Sequence, residues 1–98
     1  MARRPLELRD EAWLEWQEAS LHYDLERQGL GDRFDKAVVA TLEHLTVVAA
    51  KYAVHENGFR YAPVSKFPFR VVFELDKGTV VVYNIYHMRR EPRARRGS

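Results

Sequence analysis

The apolar residues of this chain change their spacing once, at Asn57-Gly58. Before that dipeptide they recur every three to four residues, as amphipathic helices require; after it they alternate, as strands require. Helices followed by strands, rather than interleaved with them, make an α+β fold. Ninety-eight residues, 46% hydrophobic and 31% charged, fit one domain spanning 1–98 with a modest core, which gains from a partner because small domains bury proportionally less surface.

Leu6-Glu7-Leu8 reads as a short first strand. Asp10 is placed to cap a helix over 11–28, with Glu11 where the helix dipole favours negative charge and Gly29 as a left-handed stop. Gly29-Leu30-Gly31-Asp32 is a tight connection, and Asp32 can cap a second helix running to about residue 50. That helix has one apolar face, made by Phe34, Ala37, Val38, Leu42, Leu45, Val48 and Ala49. So short a loop between them predicts an antiparallel helical hairpin.

The first helix is less regular. At about 100° per residue, Trp13, Trp16, Ala19 and Tyr23 form one apolar stripe, and Leu14, Leu21 and Leu25 form a second almost opposite it. The two neighbours of a hairpin helix usually lie about 90° apart, so part of this surface is expected to stay exposed until a partner protein or a second copy buries it.

Residues 58–63 form the next expected strand, followed by one in which Phe67, Phe69, Val71, Phe73 and Leu75 share a face and Arg70, Val72 and Glu74 the other. Phe67-Pro68-Phe69 at a strand entry fits an edge or first-strand position, with both rings entering the core or meeting a partner. Asp76-Lys77-Gly78 closes a hairpin to 79–86, apolar nearly throughout, as befits a strand covered on both faces. The order is β-α-α-β-β-β, with the helical hairpin packed on a small twisted antiparallel sheet.

Charge is distributed unevenly. Residues 1–57 hold seven Lys/Arg against eleven Asp/Glu, a net −4, while 58–98 hold nine against three, a net +6. The last strand runs into His87-Met88-Arg89-Arg90-Glu91-Pro92, which sets a titratable ring beside fixed positive charge at one sheet edge and suits an anionic partner. Arg60 and Arg70 join that basic edge if both lie on the face opposite the helices; Arg60 otherwise pairs with the acidic helices. His87 can serve as acid or base, or simply end the strand by bonding a neighbouring loop. Residues 93–98 are basic and lack apolar anchors, and are expected to be mobile unless bound.

The chain has no cysteine, and His22, His44, His55 and His87 are too scattered for a ligand pattern, so neither metal nor cofactor is expected; the first three read as surface residues. Met1-Ala2-Arg3-Arg4-Pro5 has no apolar run after it, and no stretch approaches the roughly 18 apolar residues of a spanning helix, so a cytoplasmic, non-membrane protein is expected.

Ala19, His22-Tyr23, Leu30-Gly31-Asp32-Arg33-Phe34, Gly58-Phe59-Arg60, Phe67-Pro68-Phe69 and His87-Met88-Arg89-Arg90-Glu91-Pro92 occur in the order and spacing of the RelE/ParE superfamily of bacterial toxins. Over residues 6–92 the chain resembles that superfamily, and more its ParE, plasmid-stabilisation branch. The resemblance implies the toxin of a type II toxin–antitoxin module, with a cognate antitoxin meeting Trp13, Trp16, Tyr23, Phe67 and Phe69, and a homodimer or toxin–antitoxin heterotetramer as the assembly. ParE-type members act on DNA gyrase, and the target-binding set would be Arg60, Arg70, His87, Arg89 and Arg90. RelE-type members cleave mRNA on the ribosome, for which His87, Arg89 and Arg70 would be the catalytic set. Lys51 and Lys66 are isolated, and nothing after Pro92 supplies the C-terminal aromatic or histidine of many ribonuclease members. An inactive antitoxin-binding module is the third reading.

Overall fold

Seven elements follow the expected order in the structure, a computed structural model that describes residues 3–89. They are β1 (Leu6–Leu8), α1 (Asp10–Glu26), α2 (Leu30–Val48), a turn of 3-10 helix (Ala49–Lys51), β2 (Arg60–Pro63), β3 (Phe69–Asp76) and β4 (Thr79–His87). The sheet order is β1-β4-β3-β2. Pairing is antiparallel except at one edge, where β1 joins β4 in parallel with Leu6 opposite Val80. Among the described residues no helix is long and apolar enough to cross a membrane.

The core lies between the helical hairpin and one face of the sheet. Phe34, Val38, Leu42 and Leu45 of α2 meet Val71, Phe73, Val80, Val82 and Ile85, all of them buried. The i, i+4 rows of α2 thus do what their spacing predicts. Val72 faces Asn84 while Phe73 faces Val82, so Tyr83 is an extra residue in β4, a bulge that strengthens the local twist. Val72 and Val81, buried outside the main core, belong to the other sheet face, where the rings of Phe59 and Tyr83 meet at 5.3 Å.

The helix boundaries correct the sequence expectation. Asp10 is the first residue of α1 and not its cap; Arg9 takes the cap position in extended conformation, its N–H given to Val82 O at 3.0 Å, and its donor-only side chain makes no capping bond. Gly29 does not stop α1, which ends at Glu26; it precedes α2, with φ 88°, and Asp32 falls inside the first turn of α2. The reason is the helix crossing. Gly31 N–H donates to the Asp24 carboxylate at 2.8 Å, so α1 caps α2 across the turn. A Cβ on Gly31 would lie 2.5 Å from Ser20 O, so the two helices approach here as closely as only glycine permits.

Strand β3 begins at Phe69 rather than Phe67. Pro68 has no N–H to give a ladder, and Val64 N–H closes the turn onto Phe69 O at 2.9 Å.

Candidate functional site

A cleft of about 480 Å³ opens where α1 crosses the C-terminal end of β4. The wall from α1 carries Glu15, Glu18, His22 and Glu26, residues three to four apart and so on one helical face, with Ala19 and Tyr23 beside them. The opposite wall is Phe69, Ile85, Tyr86, His87 and Arg89. One wall is thus mainly acidic, and the other is mainly apolar and aromatic with His87 and Arg89 beside it.

Each wall is held by specific bonds. Glu15 Oε1 accepts the backbone N–H of Ile85 at 2.9 Å and the side-chain amide of Asn84 at 3.2 Å, which ties α1 to β4 beside the bulge. Asn84 is fully buried, and its Oδ1 has no hydrogen-bond partner among the described residues. His22 Nε2 lies 3.0 Å from Glu26 Oε2, one turn away. Tyr23 packs against Phe34, Phe67 and Phe69 with ring separations of 5.2, 5.1 and 6.1 Å. Burial, and then the Glu26 carboxylate, push its phenol above the usual value of 10.0, so it remains a neutral hydrogen-bond donor at physiological pH.

His87 meets Phe69 edge-on at 5.4 Å, and its Nδ1 accepts the Arg89 N–H at 3.1 Å. That bond assigns the neutral ring's proton to Nε2, so the ring presents a donor to the cleft.

The sequence-predicted basic edge is divided by the sheet. His87 and Arg89 line the cleft. Arg70 lies on the outer face, over the Tyr61 ring at 5.6 Å and with Nη2 3.6 Å from Met88 Sδ. Arg60 points to the helical side, where its Nη1 donates to Tyr52 O at 2.7 Å and reaches Ala50 O and Ala49 O at 3.3 and 3.4 Å. It caps the carbonyl end of α2 and its 3-10 turn, as the helix dipole favours. Arg90 and residues 93–98 lie outside the described residues.

The apolar set divides as well. Trp16, Tyr23, Phe67 and Phe69 pack into the core, and Trp16 Nε1 donates to Asp35 at 2.9 Å. Trp13 stays 49% exposed, and the second stripe is the more open, with Leu14 at 56%, Leu21 at 62% and Leu25 at 78%. Glu15, Glu18, His22 and Glu26 were not singled out from the sequence. Their shared helical face was the available signal, masked by the apolar stripes on either side of it. Among the described residues no three His, Asp or Glu side chains group as metal ligands.

No family model matches the sequence, and no curated protein matches it either. Among solved structures the chain is similar to one from the chromosomal ParDE toxin–antitoxin system of P. aeruginosa, with a TM-score of 0.78 over 87% of this chain and 96% of that one. The fold is ParE-like. At 18% identity the likeness is one of architecture, and it covers most of the elements described above. The ParE-like scaffold therefore places His87 and Arg89 at the open end of its central hairpin, facing α1.

Proposed function

We propose that this protein is the toxin of a type II toxin–antitoxin pair, a ParE-like inhibitor of DNA gyrase neutralised by a cognate antitoxin. The observation that carries this reading is the ParE-like fold over nearly the whole of both chains compared. The exposed Leu14, Leu21 and Leu25, with Trp13 at their side, supply the apolar surface that an antitoxin would cover. Placement of the basic residues favours binding over hydrolysis. Metal-free RNA cleavage needs a base at the 2′-hydroxyl and cations around one phosphate. Here Arg70 stands across the sheet from His87, Arg60 is engaged with backbone carbonyls, and His87 Nδ1 is already occupied by the Arg89 N–H. Antitoxin contact accordingly moves from the five aromatics first expected toward the leucine stripe, with Trp13 retained.

One observation favours the ribonuclease reading instead: His87 shares its cleft with His22 and the carboxylates of Glu15, Glu18 and Glu26, which a bound substrate could draw together. Induction without antitoxin, with labelled thymidine and methionine incorporation measured over the first minutes, separates the two. Gyrase inhibition predicts an early fall in thymidine uptake and loss of supercoiling by purified gyrase. An early collapse of methionine uptake assigns mRNA cleavage, and no effect on either assigns an inactive antitoxin-binding module.

A further inference from the structure

Helix α1 leaves an apolar seam uncovered. Leu14, Leu21 and Leu25 are spaced i, i+7, i+11, which sets them within about 40° of one another around the helix and along about 16 Å of its axis. All three are exposed, and so is Trp13, which meets Trp16 edge-on at 6.0 Å and carries the apolar surface toward α2. The charge around this seam has one sign. The seventeen residues of α1 include six Asp and Glu and no Lys or Arg. Asp10 and Asp24 lie on one margin of the seam and Glu11 on the other, each within about 80° of its centre. Asp24 accepts the Gly31 N–H and keeps its charge, and on α2 the nearby cation Lys36 is paired with Asp32 at 3.2 Å. Glu18, between Leu14 and Leu21, has interactions of its own within the chain, so the other three set the sign of the margins.

We propose that this seam receives an amphipathic helix of another protein, one whose apolar residues repeat every three to four positions between margins of Lys and Arg. Under the toxin reading this partner is the antitoxin, and on that reading alone its identity rests; its chemistry follows from the seam. A helix fits because the backbone groups of α1 are bonded within it. An extended segment laid here gains no ladder bonds and presses its own N–H and C=O groups onto leucine. Leucines at about heptad spacing instead receive the knobs of a second helix, and charged margins select which helix that is. A second copy of this chain is disfavoured by the same margins, since parallel or antiparallel pairing of α1 with itself brings carboxylate against carboxylate. Basic margins on the partner turn that repulsion into attraction, and their effect falls mainly on the rate of association and on discrimination between partners.

The test uses the full chain and two synthetic three-heptad peptides with Leu at the a and d positions. One has Lys at e and g, the other Glu, and like charge keeps each peptide from pairing with itself. The Lys peptide should shift the amide signals of Leu14, Leu21 and Leu25 in a ¹⁵N-labelled chain and bind at least about tenfold more tightly than the Glu peptide. The gap should narrow in 1 M salt, where the screening length falls to about 3 Å. Leu21→Ser with Leu25→Ser should weaken the Lys peptide at least about tenfold, and sedimentation of the chain alone should show no association that depends on these two leucines. Equal binding of the two peptides, or binding of neither, overturns the proposal. So do shifts centred on the α1–β4 cleft, or a dimer of the chain that Leu21→Ser with Leu25→Ser dissociates. None of these measurements reads growth arrest, so their failure leaves the toxin reading to the induction experiment.

Discussion

The two helices of the hairpin differ in how they are held. Helix α2 buries one continuous face, with Phe34, Val38, Leu42 and Leu45 all in the core, and is fixed by apolar burial. Helix α1 buries only Ala12 completely, and its apolar residues surround it. Beside the partial burial of Trp16, Ala19 and Tyr23, polar bonds position it at three points: Glu15 to β4, Trp16 to Asp35, and Asp24 to Gly31. A helix seated by polar bonds can keep leucines on its outer side for another protein, whereas a helix seated by burial has none to spare.

Four variants sharpen or break this contrast. Phe34→Ala removes a fully buried ring from the α2 face and should lower unfolding stability by about 3–5 kcal/mol in chemical denaturation. Gly31→Ala forces the helices apart against the Ser20 carbonyl and should cost about 1–3 kcal/mol, outweighing alanine's better helix propensity. Glu15→Ala leaves the Ile85 N–H without its carboxylate partner and should cost about 1–3 kcal/mol, with faster hydrogen exchange at Ile85 as the local readout. If Glu15→Ala proves neutral while Phe34→Ala does not, α1 rests on packing after all. Leu21→Ser with Leu25→Ser should change stability by less than about 0.5 kcal/mol per site. In the toxin reading the same pair weakens antitoxin binding at least about tenfold by calorimetry.

The legible parts of the fold were those that local periodicity determines. The spacing from Phe34 to Ala49 marked α2 and its buried face, and the alternation from Phe69 to Leu75 marked β3. What escaped was set by contacts between distant residues. Asp24 caps α2 from the other helix, so Asp32, a plausible cap by local sequence, was not needed in that role, and Asp10 lies one residue inside α1 with Arg9 at the cap position. Nothing around Tyr83 announces a bulge, because register is settled across strands and not along them. Arg60 and Arg70 are both strand arginines facing opposite sides of the sheet, one capping a helix and the other over Tyr61. The candidate cleft was half legible: His87 and Arg89 ended an obvious strand, while the acidic α1 wall became recognisable only once the helix crossing had placed it opposite them.

Strand β4 occupies a middle position in the sheet, with β1 on one side and β3 on the other, and it also supplies the anchor for Glu15. It is the last of the described strands to be synthesised. Until it emerges, β1 has no neighbour, Glu15 of α1 has no anchor in the sheet, and His87 does not yet exist. A growing chain therefore has no partly working form, and the cleft appears all at once when the final strand slides between two already made. In the toxin reading, that order of assembly would confine activity to the finished chain.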